Sequence, residues 1–187
     1  MIVIGLTGFA GAGKSTVANY LVEQHGFTRL SFAAPLKKML RTLDPILGMG
    51  NVRLSHLDQM GWPEQQIKES GYGDEYRRLL QVLGTDCIRA VDPHFWVDAA
   101  TEQMEDDNGK YVFDDVRFPN EAEVIKGFND GGLWNIHREC YEAVNGHASE
   151  QHAGNMNESL ILINARTVEM LHTDIDAALT IATEEAA

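Results

Sequence analysis

Short apolar runs alternate with amphipathic stretches along the chain. Ile2-Val3-Ile4-Gly5-Leu6 is continuous and apolar, the pattern of a strand buried on both faces. Runs of strand length recur at 27–32, 110–114, 133–137 and 159–163. Between them the spacing turns helical. Leu36, Met39, Leu40 and Leu43 share one stripe, and Leu79, Leu80 and Leu83 share another. Val168, Leu171, Ile175 and Leu179 line a last helix over about 167–178, and a helix over about 121–129 precedes Gly131-Gly132. This alternation predicts an α/β fold: a mainly parallel sheet of about five strands, right-handed crossovers, and helices on both faces.

The breaks are also legible. Gly26 suits the end of the first helix, Pro35 the first turn of the second, and Asp92-Pro93 the start of another. Asp107-Asn108-Gly109 and Gly131-Gly132 read as turns. A helix over 76–86 is expected to end near Gly84. Residues 44–75 mix Gly48, Gly50, Gly61, Pro63, Gly71 and Gly73 with charges and Trp62, and read as an irregular insertion holding one short helix. Residues 138–155 are polar and weakly patterned, a lid-like segment. The whole of 1–187 is expected to form one domain.

The chemistry concentrates where the first strand ends. Gly8-Phe9-Ala10-Gly11-Ala12-Gly13-Lys14-Ser15 matches G-x-x-x-x-G-K-[ST] at every fixed position. Glycines at 8, 11 and 13 let successive N–H groups turn inward around an anion. The helix that follows adds the positive end of its dipole. Lys14 can reach the β- and γ-phosphates of ATP, and the Ser15 hydroxyl can ligate Mg²⁺. The ATP-binding set is therefore Gly8, Gly11, Ala12, Gly13, Lys14, Ser15 and Thr16, with Asn164 added at the end of the last strand. With the strand–helix alternation, this places the chain in the three-layer P-loop NTPase fold. A carboxylate closing a neighbouring strand is then needed to hold Mg²⁺ directly or through water; Asp115 is taken ahead of Asp114. Lys14, Asp115, Arg117, Arg138 and Asn164 each follow a predicted strand, so all can share the cleft at the strands' carboxyl ends.

Composition narrows the partners. Acidic residues number 28 against 15 basic, a formal net charge of −13, which disfavours duplex nucleic acid. Small phosphorylated ligands remain compatible, because a few focused arginines bind them locally. No apolar run reaches the length of about 20 residues that spans a bilayer. With no basic leader before the first strand, the expected place is the cytoplasm. Cys87 and Cys140 have no metal-ligand spacing and read as free thiols.

Asp115-Val116-Arg117-Phe118-Pro119-Asn120-Glu121-Ala122 closely resembles the signature of the phage-type deoxynucleoside monophosphate kinases, a branch of the P-loop kinases. Other stretches agree in order: Ser31-Phe32-Ala33 with Pro35-Leu36-Lys37, then Arg77, Leu79-Leu80-Gln81, Leu83-Gly84-Thr85 and Arg89. Asp92 with Trp96-Val97, His147 with Ser149-Glu150, and the strand ending at Asn164 also fit. The resemblance runs from about residue 2 to 175. It implies transfer of the ATP γ-phosphoryl to a deoxynucleoside monophosphate, in a host cytoplasm if the gene is viral. Lys14, Asp115, Arg117 and Arg138 are then the catalytic set, Arg138 as a lid arginine. The substrate-binding set is Phe32, Lys37, Arg77, Gln81, Arg89, Trp96 and Arg117. The arginines meet the acceptor phosphate, Gln81 can pair with a base edge, and Phe32 or Trp96 either stacks on the base or belongs to the core. On periodicity alone, Lys37 and Lys38 read as solvated. His147 and Glu150 have no derived role.

Three other readings stay open: another small-molecule P-loop kinase acting on dephospho-coenzyme A or a nucleoside, a kinase of modified bases in DNA, and a non-catalytic nucleotide-binding protein. The preferred base and the oligomeric state, a homodimer included, are not determined by these patterns.

Overall fold

The computed structural model describes residues 1–48, 50–138 and 155–184. Five strands form one sheet: β1 (Ile2–Thr7), β2 (Thr28–Leu30), β3 (Lys110–Phe113), β4 (Asp130–His137) and β5 (Leu160–Ile163). Every pairing is parallel, and the order is β2-β3-β1-β4-β5. The chain leaves the central strand β1 for one side of the sheet and later returns to build the other. β1 is therefore flanked on both edges and covered on both faces, which is why an unbroken apolar run suits it.

Its two faces can be separated residue by residue. Ile4, Leu6, Val112, Trp134, Ile136 and Leu162 cluster with Val17, Ala18 and Leu21 of α1 (Lys14–His25). Leu171, Ile175, Ala178 and Leu179 of α8 (Val168–Glu184) join the same cluster. Burying side chains of this size contributes roughly 1.5–3 kcal/mol each. On the opposite face lies α7 (Pro119–Gly127). A Cβ on Gly5 would stand 2.9 Å from Val116 and 3.2 Å from Ile125, so the glycine lets α7 pack close against β1. Helix, sheet and helix make the three layers expected.

One turn was misplaced by the sequence pattern. Gly131-Gly132 predicts a turn, yet both residues lie inside β4, paired with Val3 and Ile4. The physical reason is proximity: a Cβ on Gly131 would strike the carbonyl of Ile125 at the end of α7. Gly131 serves close packing against α7, and neither glycine reverses the chain.

Two compact units divide the chain, Met1–Phe32 with Ala100–Ala187, and Ala33–Ala99. The second unit is helical: α2 (Ala33–Leu43), α3 (Leu54–Gln59), α4 (Glu64–Glu69), α5 (Gly73–Gln81) and most of α6 (Phe95–Thr101). Stretch 44–75, where one short helix was expected, carries two, with irregular segments around them. Leu47, Leu54, Leu57 and Ile67 pack there with Leu40 and Tyr76, all buried. The helix over 76–86 also differs from expectation. It does not end at Gly84; it continues from α5 as a π-helix over Val82–Arg89. Trp96 stabilises this stretch from α6, its indole N–H donating to the Gly84 carbonyl at 2.9 Å. The expected lid-like segment lies almost wholly in 139–154, outside the described residues, as do Cys140, His147, Ser149 and Glu150.

Tyr76 is the polar exception in the second unit's core. Its side chain is fully buried, and its hydroxyl has no hydrogen-bond partner among the described residues. Burial, followed by the nearby charge of Glu64, pushes the phenol up to about 12, against the opposing influence of Arg41. Because folding raises the phenol above its unfolded value near 10, its ionisation is disfavoured in the folded state, and stability falls as pH rises from about 10 toward 12. Separately, the neutral hydroxyl is buried without a partner among the described residues, so Tyr76→Phe should stabilise the protein at neutral pH by about 1 kcal/mol. It should also flatten the loss of stability above pH 10. Denaturant melts at pH 7 and across the alkaline range check both.

Candidate active site

The phosphate loop runs from the end of β1 to the start of α1. Gly8 and Gly13, at the motif's fixed positions, have φ of 131° and 109°, and Gly11 between them has φ of 79°. Side chains rarely adopt these values, and at two positions space forbids one as well. A Cβ on Gly8 would strike the Ile136 carbonyl of β4, and a Cβ on Gly13 would strike the Asn164 amide. The loop is thus seated directly on the ends of β4 and β5. Gly13 caps α1 without a side chain, so none of the helix's leading N–H groups is bonded by its cap. That is the chemistry of an anion site.

Lys14 lies across the loop. Its ammonium donates to the carbonyls of Gly8 at 2.7 Å and Phe9 at 2.9 Å. These bonds hold the charge over the loop mouth instead of out in solvent. Asn164 closes the other side: its Nδ2 donates to the Ala12 carbonyl at 2.8 Å. Its own backbone N–H donates to His137 at 2.7 Å, extending the β4–β5 ladder. Ser15 and Thr16 are exposed on the first turn of α1.

The two aspartates at the end of β3 are distinguished by their partners. Asp114 forms an ion pair with Arg29. Asp115 accepts hydrogen bonds from the Ser31 hydroxyl at 2.6 Å and the Phe32 N–H at 2.9 Å. These two bonds orient the Asp115 carboxylate at the end of the strand beside β1. Ser15 and Asp115 supply hard oxygen donors, and no cluster of three or more His, Cys, Asp or Glu side chains suited to a metal occurs among the described residues. A hydroxyl with one carboxylate is the sparse protein donor set that Mg²⁺ accepts when phosphates and water complete its shell. The residues therefore fit the ion.

After Asp115 the signature divides into structural parts. Val116 is buried and donates its N–H to Leu6 of β1 at 3.2 Å. Glu121, only 3% exposed, accepts from the N–H groups of Arg117 at 2.8 Å and Phe118 at 3.1 Å. It fixes the bend into α7 and leaves the Arg117 side chain exposed. Glu121 was not singled out for this role from sequence, although Pro119 followed by a glutamate two residues on is a helix-start signal. Arg138 follows β4 directly and is exposed. Lys14, Asp115, Arg117, Arg138 and Asn164 all follow the carboxyl ends of parallel strands in the first unit.

In the second unit, Lys37 pairs with Glu64 at 3.0 Å, and Glu64 also pairs with Lys68. Burial alone would raise the Glu64 carboxyl; hydrogen bonds and charges from Lys68 and Lys37 outweigh it and hold the group below its ordinary value. Sequence reasoning missed Glu64 because nothing in the spacing of 37 and 64 signals their contact. Arg77 donates to Asp74 at 3.2 Å and to the Lys68 carbonyl at 2.7 Å. Gln81 is exposed, and Arg89 is half-buried at the end of the π-helix. Phe32 and Trp96 fall on the core alternative. Phe32 is buried in the first unit, stacked on Phe113 at 4.5 Å, and Trp96 is buried in the second.

Comparison with known proteins bears on this arrangement. Residues 48–175 match the family described as deoxynucleotide monophosphate kinase. A protein of Acanthamoeba polyphaga mimivirus, named provisionally as a deoxynucleotide monophosphate kinase, is 32% identical over 94% of each chain. The deoxynucleoside-5′-monophosphate kinase of Escherichia phage T5 is 26% identical, covering 68% of this chain and 73% of its own. Among solved structures, TT1252 from Thermus thermophilus aligns with a TM-score of 0.50 at 20% identity over 96% of both chains. A gluconokinase from Sinorhizobium meliloti 1021 aligns with a TM-score of 0.50 at 14% identity, over 98% of this chain and 94% of its own. At these identities the two structures speak for the fold alone.

Lys14→Ala removes the ammonium held over the loop and no core contact. Turnover should fall by roughly 10²–10³-fold, the usual cost of removing one stabilising donor. The thermal midpoint should stay near that of the parent; steady-state kinetics beside a thermal melt check both.

Proposed function

The chain belongs to the deoxynucleotide monophosphate kinase family and is an ATP-dependent nucleotide kinase; from that premise we propose that it transfers the ATP γ-phosphoryl group to a deoxynucleoside 5′-monophosphate, giving the diphosphate and ADP. The observation that carries this reading is the phosphate loop seated on β4 and β5, with the oriented Asp115 carboxylate on the strand beside it. Phosphoryl transfer needs charge neutralisation and in-line placement more than a nucleophilic side chain. The loop amides and Lys14 bind the β- and γ-phosphates. Ser15 and Asp115 are the residues that would hold Mg²⁺, which when bound neutralises charge on the phosphate oxygens. Arg117 and Arg138, exposed beyond β3 and β4, supply cations for charge that develops on the transferring group.

The acceptor monophosphate is dianionic and calls for arginines. Arg77, Arg89 and Arg117 are assigned to it together with Lys37, which pairs with Glu64, and the exposed Gln81 is assigned to a base edge. Arg77 is engaged by Asp74, but that pair is exposed, and exposed pairs are worth about 0–1 kcal/mol. A phosphate dianion outbids it readily. Arg78 is different: it holds both oxygens of Glu75 at 2.7 Å and is a surface pair on its own helix.

A coupled ADP-release assay with ATP-Mg²⁺ and dTMP, dGMP, dCMP or dAMP tests the reaction. Turnover with at least one is expected, and ribonucleotides and nucleosides serve as controls. Turnover with a nucleoside or dephospho-coenzyme A in their place, or ATP hydrolysis indifferent to every monophosphate, would overturn it. Arg77→Ala should raise the KM for the monophosphate by about tenfold with little change for ATP. An equal rise for both substrates would take Arg77 out of the acceptor site.

A further inference from the structure

Asn164 stands at the end of β5, where a direct contact with nucleotide is the ready assumption. Its side chain does something else. Nδ2 donates to the Ala12 carbonyl at 2.8 Å, and the same nitrogen occupies the space a Cβ on Gly13 would need. The residue is itself anchored, its backbone N–H bonded to His137 at 2.7 Å in register with the β4–β5 ladder. Ala12 is buried, and its N–H is bonded within the loop to Phe9 at 3.2 Å.

The Ala12–Gly13 peptide is therefore gripped at its oxygen. In a trans peptide the C=O and N–H point in opposite directions. Holding the Ala12 oxygen on Asn164 aims the Gly13 N–H away from β5. Gly13 is the residue least able to resist rotation of that peptide, because it has no Cβ and already sits at φ 109°. A flipped peptide would turn a carbonyl oxygen where an amide is needed, and phosphate would meet repulsion in place of a donor.

We propose that Asn164 is a positioning residue: its amide fixes the orientation of the Ala12–Gly13 peptide, so that the loop binds the polyphosphate of any nucleotide. The side chain acts through the loop and not on the nucleoside. This rests on ATP binding at the loop and is independent of which acceptor the enzyme phosphorylates.

The two roles separate by ligand. Asn164→Ala and Asn164→Asp are compared with the parent by calorimetric titration of MgATP and of Mg-tripolyphosphate, which has no nucleoside. Asn164→Ala removes the donor without adding charge; Asn164→Asp keeps the size and places an oxygen against the Ala12 carbonyl. Both ligands should weaken by the same factor in a given variant, roughly tenfold for Asn164→Ala and more for Asn164→Asp. Thermal melts of both variants confirm that the titrated protein is folded. If MgATP weakens and tripolyphosphate does not, the side chain reads the nucleoside and the proposal fails. If neither ligand weakens in either folded variant, the bond to Ala12 does not govern the loop and the proposal fails equally.

Discussion

The first unit depends on how closely the phosphate loop is seated on the sheet. Gly8 lies against the Ile136 carbonyl and Gly13 against the Asn164 amide, with no room for a Cβ at either. That seating requires β4 and β5 in their observed register beside β1, since Ile136 and Asn164 arrive through those ladders. It also requires left-handed backbone values that glycine alone adopts without strain. The order of the sheet is thus tied to the geometry of a loop only a few residues long. A slip of one residue in β4 would turn every side chain to the other face and remove the loop's support.

A second consequence concerns the division of labour after β3. The stretch from Asp115 to Ala122 resembles one functional signature, but its residues do different jobs. Asp115 is oriented by Ser31 and Phe32, Val116 joins β1, and Glu121 satisfies the amides that open α7. Glu121 is almost fully buried, so its carboxylate is compensated by those amides instead of by solvent. The exposed Arg117 is delivered by this frame. A signature of this kind mixes chemistry with the scaffolding that aims it.

The second unit shows the same economy. The π-helix over Val82–Arg89 changes the angular spacing of the residues it carries, and such stretches are short because their hydrogen bonds are less favourable than those of an α-helix. Trp96 supports it through the Gly84 carbonyl, and a Cβ on Gly84 would lie 2.6 Å from Leu36. The Leu83-Gly84-Thr85 part of the resemblance is therefore a packing requirement as well as a family mark. Trp96 serves that requirement from the core.

The features that depend on local chemistry were legible in the chain itself. Apolar runs of strand length and helical stripes gave the α/β alternation, and Gly8, Gly11, Gly13, Lys14 and Ser15 announced the phosphate loop, because its backbone demands and donors sit within eight residues. What depends on contacts distant in sequence was decided by the tertiary structure. Gly131-Gly132 pair with β1 as strand, Gly131 lying close under α7, and residues 44–75 formed two short helices packed with Leu40 and Tyr76. Asn164 reached the loop across 152 positions, and Asp115 met Ser31 across 84. Periodicity reports which face of an element is apolar, not which partner arrives there. That is why the loop could be read from the chain, while the residues that hold it in shape appeared only in the fold.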